Sequence, residues 1–154
     1  MKSFAFLLFF ITLVVKGTLF ANSSITYEET VIKAPKGEII VEIADDPIKY
    51  KKGLGYRQSL PEGSGMLFIF KIPSRGEMCM RGMNFPIDMV WLDSNKKVTK
   101  IKENIYPDVR GEIPQVYFSS NPDTFFVLEL PKGGIEQYGI KEGIILSFTV
   151  KNNL

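Results

Sequence analysis

The sequence predicts an all-β class fold, mainly β with two short helices, built as a single compact barrel-like or sandwich domain. The first observation behind this is that about seven segments show alternation of apolar and polar residues or short apolar runs, the patterns of strands. The second is that helix-forming patterns bounded by start and stop signals are few. With 154 residues, the chain has room for one such domain but not for two comfortable ones.

The predicted strands begin with residues 37–45, GEIIVEIAD, where β-branched residues alternate with charged ones. A fully apolar run at 65–70, GMLFIF, is too short for a helix and is typical of a strand buried on both faces. Residues 86–105 predict a β-hairpin, because a polar turn at 93–96 separates two strand patterns. The remaining strands are predicted at 77–80, 124–130 and 143–150.

Both helix predictions depend on end signals. In residues 45–55, an aspartate precedes Pro47 at the first helical position, and Gly53 provides the stop. A second, brief helical turn is predicted at 135–138. Residues 106–123, with three prolines, form the longest irregular connection. Long loops in compact domains often carry function, so this loop is a candidate rim of a binding site.

The first 21 residues predict a secretory signal peptide rather than part of the fold. Lys2 precedes an apolar stretch from Phe4 to Val15, and Ala21 is the best residue for the cleavage position. We therefore expect an exported protein, periplasmic or secreted, with residues 22–37 as an N-terminal extension and 38–151 as the β domain. The alternative is an uncleaved segment that anchors the protein, which would be its only contact with a membrane.

The charge of the chain argues against nucleic acid as a partner. The full sequence carries a net charge of +2, and removal of Lys2 and Lys16 with the signal peptide brings it to zero. No basic excess then remains to neutralise phosphates. The expected partner is a small molecule, glycan or peptide of unknown identity.

Sulfur is concentrated at residues 78–83, which include Met78, Cys79, Met80 and Met83. Thioether and thiolate ligands favour Cu(I), so a copper-binding protein using Met78 and Met80 is one hypothesis. The other interpretation is core packing, since methionine fills irregular gaps and an unpaired cysteine behaves as a small buried hydrophobe. On a strand, Cys79 points away from both neighbouring methionines, and the sequence contains no histidine. We therefore predict no metal site, no cofactor and no catalytic residue.

Asp88 lies in an otherwise apolar run, FPIDMVWL, where a buried carboxylate needs a partner. In the structural interpretation it accepts hydrogen bonds from backbone N–H groups or pairs with Arg57 or Arg81. In the functional interpretation Asp88 and Arg81 face a pocket and hold a polar ligand. Glu129, in the run FVLELP, raises the same question, although strand alternation could place it in solvent.

Four motifs, in the same order, resemble those of a known family. Residues 49–70, KYKKGLGYRQSLPEGSGMLFIF, resemble the opening RxxGLMxRxxLPxxxGMLFxF of the small exported domains called DUF192. Residues 78–93, MCMRGMNFPIDMVWLD, are similar to the family's FWMKNTxxPLDxLFxD. Residues 127–134, VLELPKGG, and 138–143, YGIKEG, match its closing VLELPAGxxxxxGIxxGD. The resemblance implies a compact, mostly β, barrel-like domain behind an export signal, with no established activity.

The chain departs from that family pattern at residues 78–83. The family's aromatic pair and amide are absent here, whereas its basic position is retained as Arg81 and its Pro-x-Asp as Pro86 and Asp88. The resemblance therefore implies no ligand contact by the missing groups in this chain.

The function that these observations favour is a non-enzymatic binding module of the cell envelope. Its expected ligand-binding residues are Arg57, Arg81 and Asp88 together with Tyr106 and Tyr117 of the long loop. An envelope hydrolase or transferase that uses Asp88 and Arg81 is the alternative, beside the Cu(I) protein.

Overall fold

The computed structural model describes residues 25–108 and 113–151, so the predicted signal peptide lies outside the described residues. Within these residues the elements are eight strands and two helices. In chain order they are β1 (Glu29–Ala34), β2 (Gly37–Ala44), α1 (Pro47–Lys52), β3 (Ser64–Ser74), β4 (Met78–Cys79), β5 (Ile87–Asp93), β6 (Val98–Ile105), β7 (Val116–Tyr117), β8 (Thr124–Pro131) and α2 (Gly134–Tyr138). The mainly β class and the two short helices are confirmed.

One six-stranded sheet organises the fold, with the order β1-β2-β3-β8-β5-β6. Only β2 and β3 run parallel, because α1 and the turn after it carry the chain back between them. Strand β8 lies between β3 and β5 and pairs antiparallel with both. The hairpin predicted at 86–105 is confirmed as β5 and β6. Strands β4 and β7 form a separate two-stranded ribbon.

Of the barrel-like and sandwich architectures expected, a closed barrel does not form, because the main sheet is open and β1 and β6 are its two edges. The predicted strand at 143–150 does not form a ladder with either edge. It makes single bridges instead, from Ser147 to Lys33 beside one edge and from Ile145 to Lys97 beside the other. The segment thus spans the opening between the edges without closing it.

Apolar side chains cover both faces of the sheet, because successive residues of a strand point to opposite sides. We name each face by its helix. The α2 face is covered by α2 and the C-terminal segment, and its core includes Leu67, Val90, Leu92, Leu128, Leu130, Ile135, Tyr138 and Leu146. The α1 face is covered by the chain after α1 and by the β4–β7 ribbon, and its core includes Leu54, Met66, Phe68, Met80, Ile87, Met89, Trp91 and Val127.

Helix α1 begins and ends as the sequence predicts. The Asp46 side chain accepts hydrogen bonds from the N–H groups of Ile48 and Lys49, at 2.8 and 2.9 Å, and Pro47 occupies the first turn. These N–H donors hold the pKa of the Asp46 carboxyl below its usual value. Gly53 ends the helix at φ 47°, which favours glycine.

The range 22–37, expected to be an N-terminal extension, contains strand β1, which pairs with β2 along its whole length. Its Ile32 is fully buried in the α2-face core. An edge strand with few apolar residues has a weak strand pattern in the sequence, so β1 is recognised only from its pairing with β2. Among the described residues, none of the helices is both long and apolar enough to cross a membrane.

Candidate functional site

Glu129 occupies the middle of β8, near the centre of the sheet. Its backbone neighbours are Met66 on β3 and Met89 on β5, and the side chains of both are fully buried on the α1 face. Alternation along β8 places Leu128 and Leu130 on the opposite face. The Glu129 side chain is therefore directed into the apolar layer beneath α1.

The carboxyl group of Glu129 has no compensating partner there. The residue is 4% exposed, and burial raises the pKa of its carboxyl to about 8. Burial is the only cause of this shift, because no hydrogen bond or nearby charge among the described residues offsets it. At neutral pH the group is predominantly an uncharged carboxylic acid, able both to donate and to accept a hydrogen bond.

A cavity of about 190 Å³ opens above Glu129. Cavities of roughly 150 Å³ hold one aromatic ring, so this space suits a small molecule. Its walls are mainly apolar, with a few polar groups at defined points, as is usual for small-molecule sites. The wall residues are Tyr50, Leu54, Phe68, Phe70, Met78, Cys79 and Met83. We call this space the Glu129 cavity.

Three basic side chains lie at the mouth of the cavity, and we call Lys51, Lys52 and Arg81 the basic rim. All three are exposed, and none forms a salt bridge within the described part of the chain. Lys52 lies 4.9 Å from the centre of the Tyr56 ring. The one acidic residue at the mouth is Glu77, so the rim carries a positive excess.

The wall contributed by β4 depends on Gly76, which connects it to β3. Gly76 has φ +57°, and a Cβ there would approach Trp91 Cδ1 to 2.9 Å and Thr124 Cγ2 to 2.8 Å. The carbonyl of Gly76 accepts a hydrogen bond of 2.7 Å from the Trp91 indole N–H. The single tryptophan thus fixes the chain that carries Glu77, Met78 and Cys79 to the cavity.

Asp88, the first of the sequence-predicted site residues, lies on the other face of the sheet. It is fully buried. Its Oδ1 accepts a hydrogen bond from Asn104 N at 2.8 Å, and its Oδ2 accepts from Gly133 N at 2.9 Å and Ile135 N at 3.1 Å. The sequence left backbone N–H groups, Arg57 and Arg81 open as partners of Asp88, and in the structure its partners are backbone N–H groups. The carboxylate ties β6 and the start of α2 to β5.

Arg57 and Arg81 are not brought together with Asp88. Arg57 forms a two-pronged ion pair with Glu42, with N–O distances of 2.7 and 2.6 Å. These hydrogen bonds raise the pKa of Arg57 above its usual value. Arg81 lines the Glu129 cavity on the α1 face. Asp88 and Arg81 therefore lie on opposite faces of the sheet.

Tyr106 and Tyr117 both line a cavity beside the long loop. This second cavity has a volume of about 390 Å³ and lies between β6 and the loop that follows it. The Tyr106 hydroxyl accepts a hydrogen bond of 2.7 Å from Lys132 Nζ. The lining borders residues 109–112, which lie outside the described ranges. Neither Arg57, Arg81 nor Asp88 lines this cavity.

The sulfur-containing residues separate into two groups. Met78, Cys79 and Met83 line the Glu129 cavity, whereas Met80 is almost fully buried in the α1-face core. Met78 and Met80, the pair named for Cu(I), therefore do not share the cavity. Within residues 25–108 and 113–151, no three histidine, cysteine or acidic side chains are grouped so as to hold a metal ion.

Glu129 lines a candidate site but was not among the binding residues predicted from the sequence. Alternation predicted that it could face solvent, but β8 is a central strand whose residues are buried on both sides. A signal for this was present: in FFVLEL the residues flanking Glu129 are apolar on both faces, unlike those of an edge strand. A carboxylate at such a position needs an explanation.

Comparison with known proteins places the chain in a family without a known activity. Two solved structures share its fold. One, from Sinorhizobium meliloti 1021, is described as a proposed transcription regulator. Its sequence is 27% identical to this chain, the TM-score of the two structures is 0.67, and the match covers 81% of this chain and 97% of the other. The other, a protein of unknown function from Novosphingobium aromaticivorans DSM 12444, has a TM-score of 0.66 and 25% identity over 82% of this chain and 89% of that one.

No curated protein is significantly similar to the chain in sequence. The model of the DUF192 family, described as "Uncharacterized ACR", matches residues 30–148, which is most of the chain. The four motifs seen in the sequence all lie within that range. The chain therefore belongs to the DUF192 family.

Proposed function

We propose that the protein is a non-enzymatic binding module of the cell envelope, and that it takes a small molecule into the Glu129 cavity. The observation that carries this proposal is that the carboxyl of Glu129 is buried at the cavity and has no hydrogen-bond partner among the described residues. Burying such a group without a hydrogen bond costs roughly 1–3 kcal/mol by the measure of protein mutants. A ligand that offers a polar group to Glu129 would recover part of that cost.

The volume of the cavity limits the size of the ligand. About 190 Å³ accepts a group comparable to one aromatic ring. A small molecule fits this volume, as does one residue of a glycan or peptide. An extended chain would have to continue across the mouth. The proposed site therefore excludes Asp88, which lies on the α2 face, and it retains Arg81. Arg57, Tyr106 and Tyr117 do not line the Glu129 cavity.

Export is the second part of the proposal. It rests on the signal-peptide pattern of residues 1–21 in the sequence. Fractionation of cells that produce the full chain tests it: we expect the mature protein in the periplasm or medium, beginning near residue 22. Recovery of the uncleaved chain in the membrane fraction would instead support the anchored alternative.

The binding proposal is tested by a ligand-observed NMR screen of small polar metabolites at pH 7 against the wild-type protein and two variants. Glu129→Leu removes the polar group of the cavity, while Tyr106→Ala changes the second cavity at an exposed position. We expect hits whose binding is lost in Glu129→Leu and unchanged in Tyr106→Ala. Hits lost only in Tyr106→Ala would move the site to the second cavity, and a screen without hits would overturn the proposal.

A further inference from the structure

The polar groups around the Glu129 cavity are not distributed evenly, and this distribution points to the charge of the ligand. At the inner end the carboxyl of Glu129 is uncharged at neutral pH and enclosed by apolar side chains. At the mouth lies the basic rim. Tyr50, Phe68 and Phe70 contribute aromatic rings to the lining of the cavity.

The mouth favours an anion because its cations are unpaired among the described residues. Arg57, by comparison, is bound to Glu42, and Lys49 to Asp45 at 2.7 Å. Lys51, Lys52 and Arg81 have no such acidic partner there. They face one carboxylate, Glu77, so an anionic group at the mouth meets an excess of positive charge.

The rim continues beyond the mouth into a neighbouring groove. The same three basic residues line this groove together with Ile25, Ile48 and Tyr56. Ile48 and Tyr56 are 69% and 70% exposed. The cations therefore form the border between two apolar spaces. An anion placed at this border meets the same three cations from either space.

The inner end sets a different requirement. A carboxylic acid in an apolar site can donate a hydrogen bond to an oxygen of the ligand or accept one from a hydroxyl. A ligand cation at this position would form an ion pair with ionised Glu129, but it would first have to pass the basic rim. An uncharged polar group meets no such barrier.

We propose that the ligand is a small monoanion with an aromatic or apolar body: its anionic group lies at the basic rim, and an uncharged hydroxyl or carbonyl at its other end bonds to Glu129. This inference rests on the proposed function and specifies the ligand class of the same site. Aromatic hydroxy acids have this layout of charge, ring and hydroxyl. Binding involves no covalent step.

Four probes of one skeleton test the proposal by isothermal titration calorimetry at pH 7 and low ionic strength. They are 4-hydroxyphenylacetate, phenylacetate without the hydroxyl, tyrosol without the charge, and tyramine with the opposite charge. We expect 4-hydroxyphenylacetate to bind best, and tyrosol and tyramine to bind about tenfold more weakly or worse, because the rim attraction is lost or reversed. Phenylacetate should be several-fold weaker, because Glu129 stays unpaired.

Matched variants assign the effect to the rim. The triple variant Lys51→Gln, Lys52→Gln and Arg81→Gln should lose about tenfold in affinity for 4-hydroxyphenylacetate. A control triple variant, Lys71→Gln, Lys97→Gln and Lys141→Gln, removes the same charge from exposed positions that do not line the cavity, and it should lose less than about twofold. All six positions are exposed, so both variants should keep the fold.

The outcomes separate this inference from the proposed function. Tyramine binding more tightly than 4-hydroxyphenylacetate, or equal losses in both triple variants, would overturn the monoanion class. So would the absence of binding by all four probes. In each case the proposed function stands if another molecule from the screen still requires Glu129. If no molecule requires Glu129, both proposals fall.

Discussion

Asp88 and Glu129 are two buried carboxylates on neighbouring strands, and they differ in what surrounds them. Asp88 points to the α2 face and accepts three backbone hydrogen bonds. Glu129 points to the α1 face, accepts no hydrogen bond from the described part of the chain, and lies against a cavity. A buried charge with a full set of donors connects elements of the fold. A buried acid without donors does not connect elements in this way. The candidate binding site is therefore on the α1 face, where Glu129 lies.

The largest effect should follow from removing the satisfied carboxylate. Asp88→Ala leaves the N–H groups of Asn104, Gly133 and Ile135 without their acceptor inside the protein. At about 1–3 kcal/mol for each unpaired buried donor, three donors give at most about 9 kcal/mol. The bonds from Asn104 and Gly133 are only partly buried, so we expect a smaller loss of roughly 3–6 kcal/mol in the free energy of unfolding, measured in urea.

Asp93→Ala is the matched control for that prediction. The Asp93 side chain also accepts backbone hydrogen bonds, from Asn95 N at 2.8 Å and Lys97 N at 3.0 Å. These bonds lie in an exposed turn, where water can replace the acceptor, so the loss should be about 1 kcal/mol or less. If Asp88→Ala costs no more than Asp93→Ala, the structural role of Asp88 is refuted.

The second effect is a pH dependence that Glu129 alone should produce. Its carboxyl has a pKa of about 8 in the folded protein, against 4.5 ordinarily. Between these values the folded protein holds a proton that the unfolded chain releases. The stability that this proton contributes is therefore fully present below about pH 4.5. The free energy of unfolding falls as pH rises from there to about 8, by about 1.4 kcal/mol for each pH unit at most.

Urea unfolding at several pH values between 5 and 9 measures this slope, with Glu129→Gln as the control. The amide keeps the shape of the side chain but does not titrate, so the slope due to Glu129 should vanish while other titrating groups contribute equally to both proteins. The same slope in wild type and Glu129→Gln would show that Glu129 ionises freely in the fold.

The smallest effect has the opposite sign to that of Asp88→Ala. Glu129→Leu replaces an unpaired acid with an apolar group in an apolar layer, so we expect the variant to be more stable than wild type by about 1–3 kcal/mol at pH 7. Met66→Leu, at the cross-strand neighbour, controls for repacking and should change stability by less than about 1.5 kcal/mol. A destabilised Glu129→Leu would mean that Glu129 has a partner in the fold.

Local features were predicted well wherever neighbouring residues decide them. Asp46, Pro47 and Gly53 fix both ends of α1, and the turn at 93–96 fixes the hairpin of β5 and β6. The sequence did not predict strand β1. It did predict a strand at 143–150, but this segment forms single bridges instead of a ladder. In both cases the outcome depends on pairing with residues far along the chain. Local alternation carries no information about such partners.

For the candidate site, the sequence identified Asp88 as a buried acid that needs partners, and it retained Arg81 as a candidate. It could not identify Gly133 and Ile135 as the donors, because 45 or more residues separate them from Asp88. It also could not distinguish the two faces of β8, so Glu129 remained an open question.

The sequence by itself determined the mainly β class, the ends of α1 and membership of the DUF192 family, because these follow from periodicity, capping and motif order. Only the tertiary structure decided that the sheet is open, and that Asp88 and Glu129 lie on opposite faces. The physical reason is that a carboxyl group's role depends on the donors and the space around it. Strands brought together from distant parts of the chain supply both.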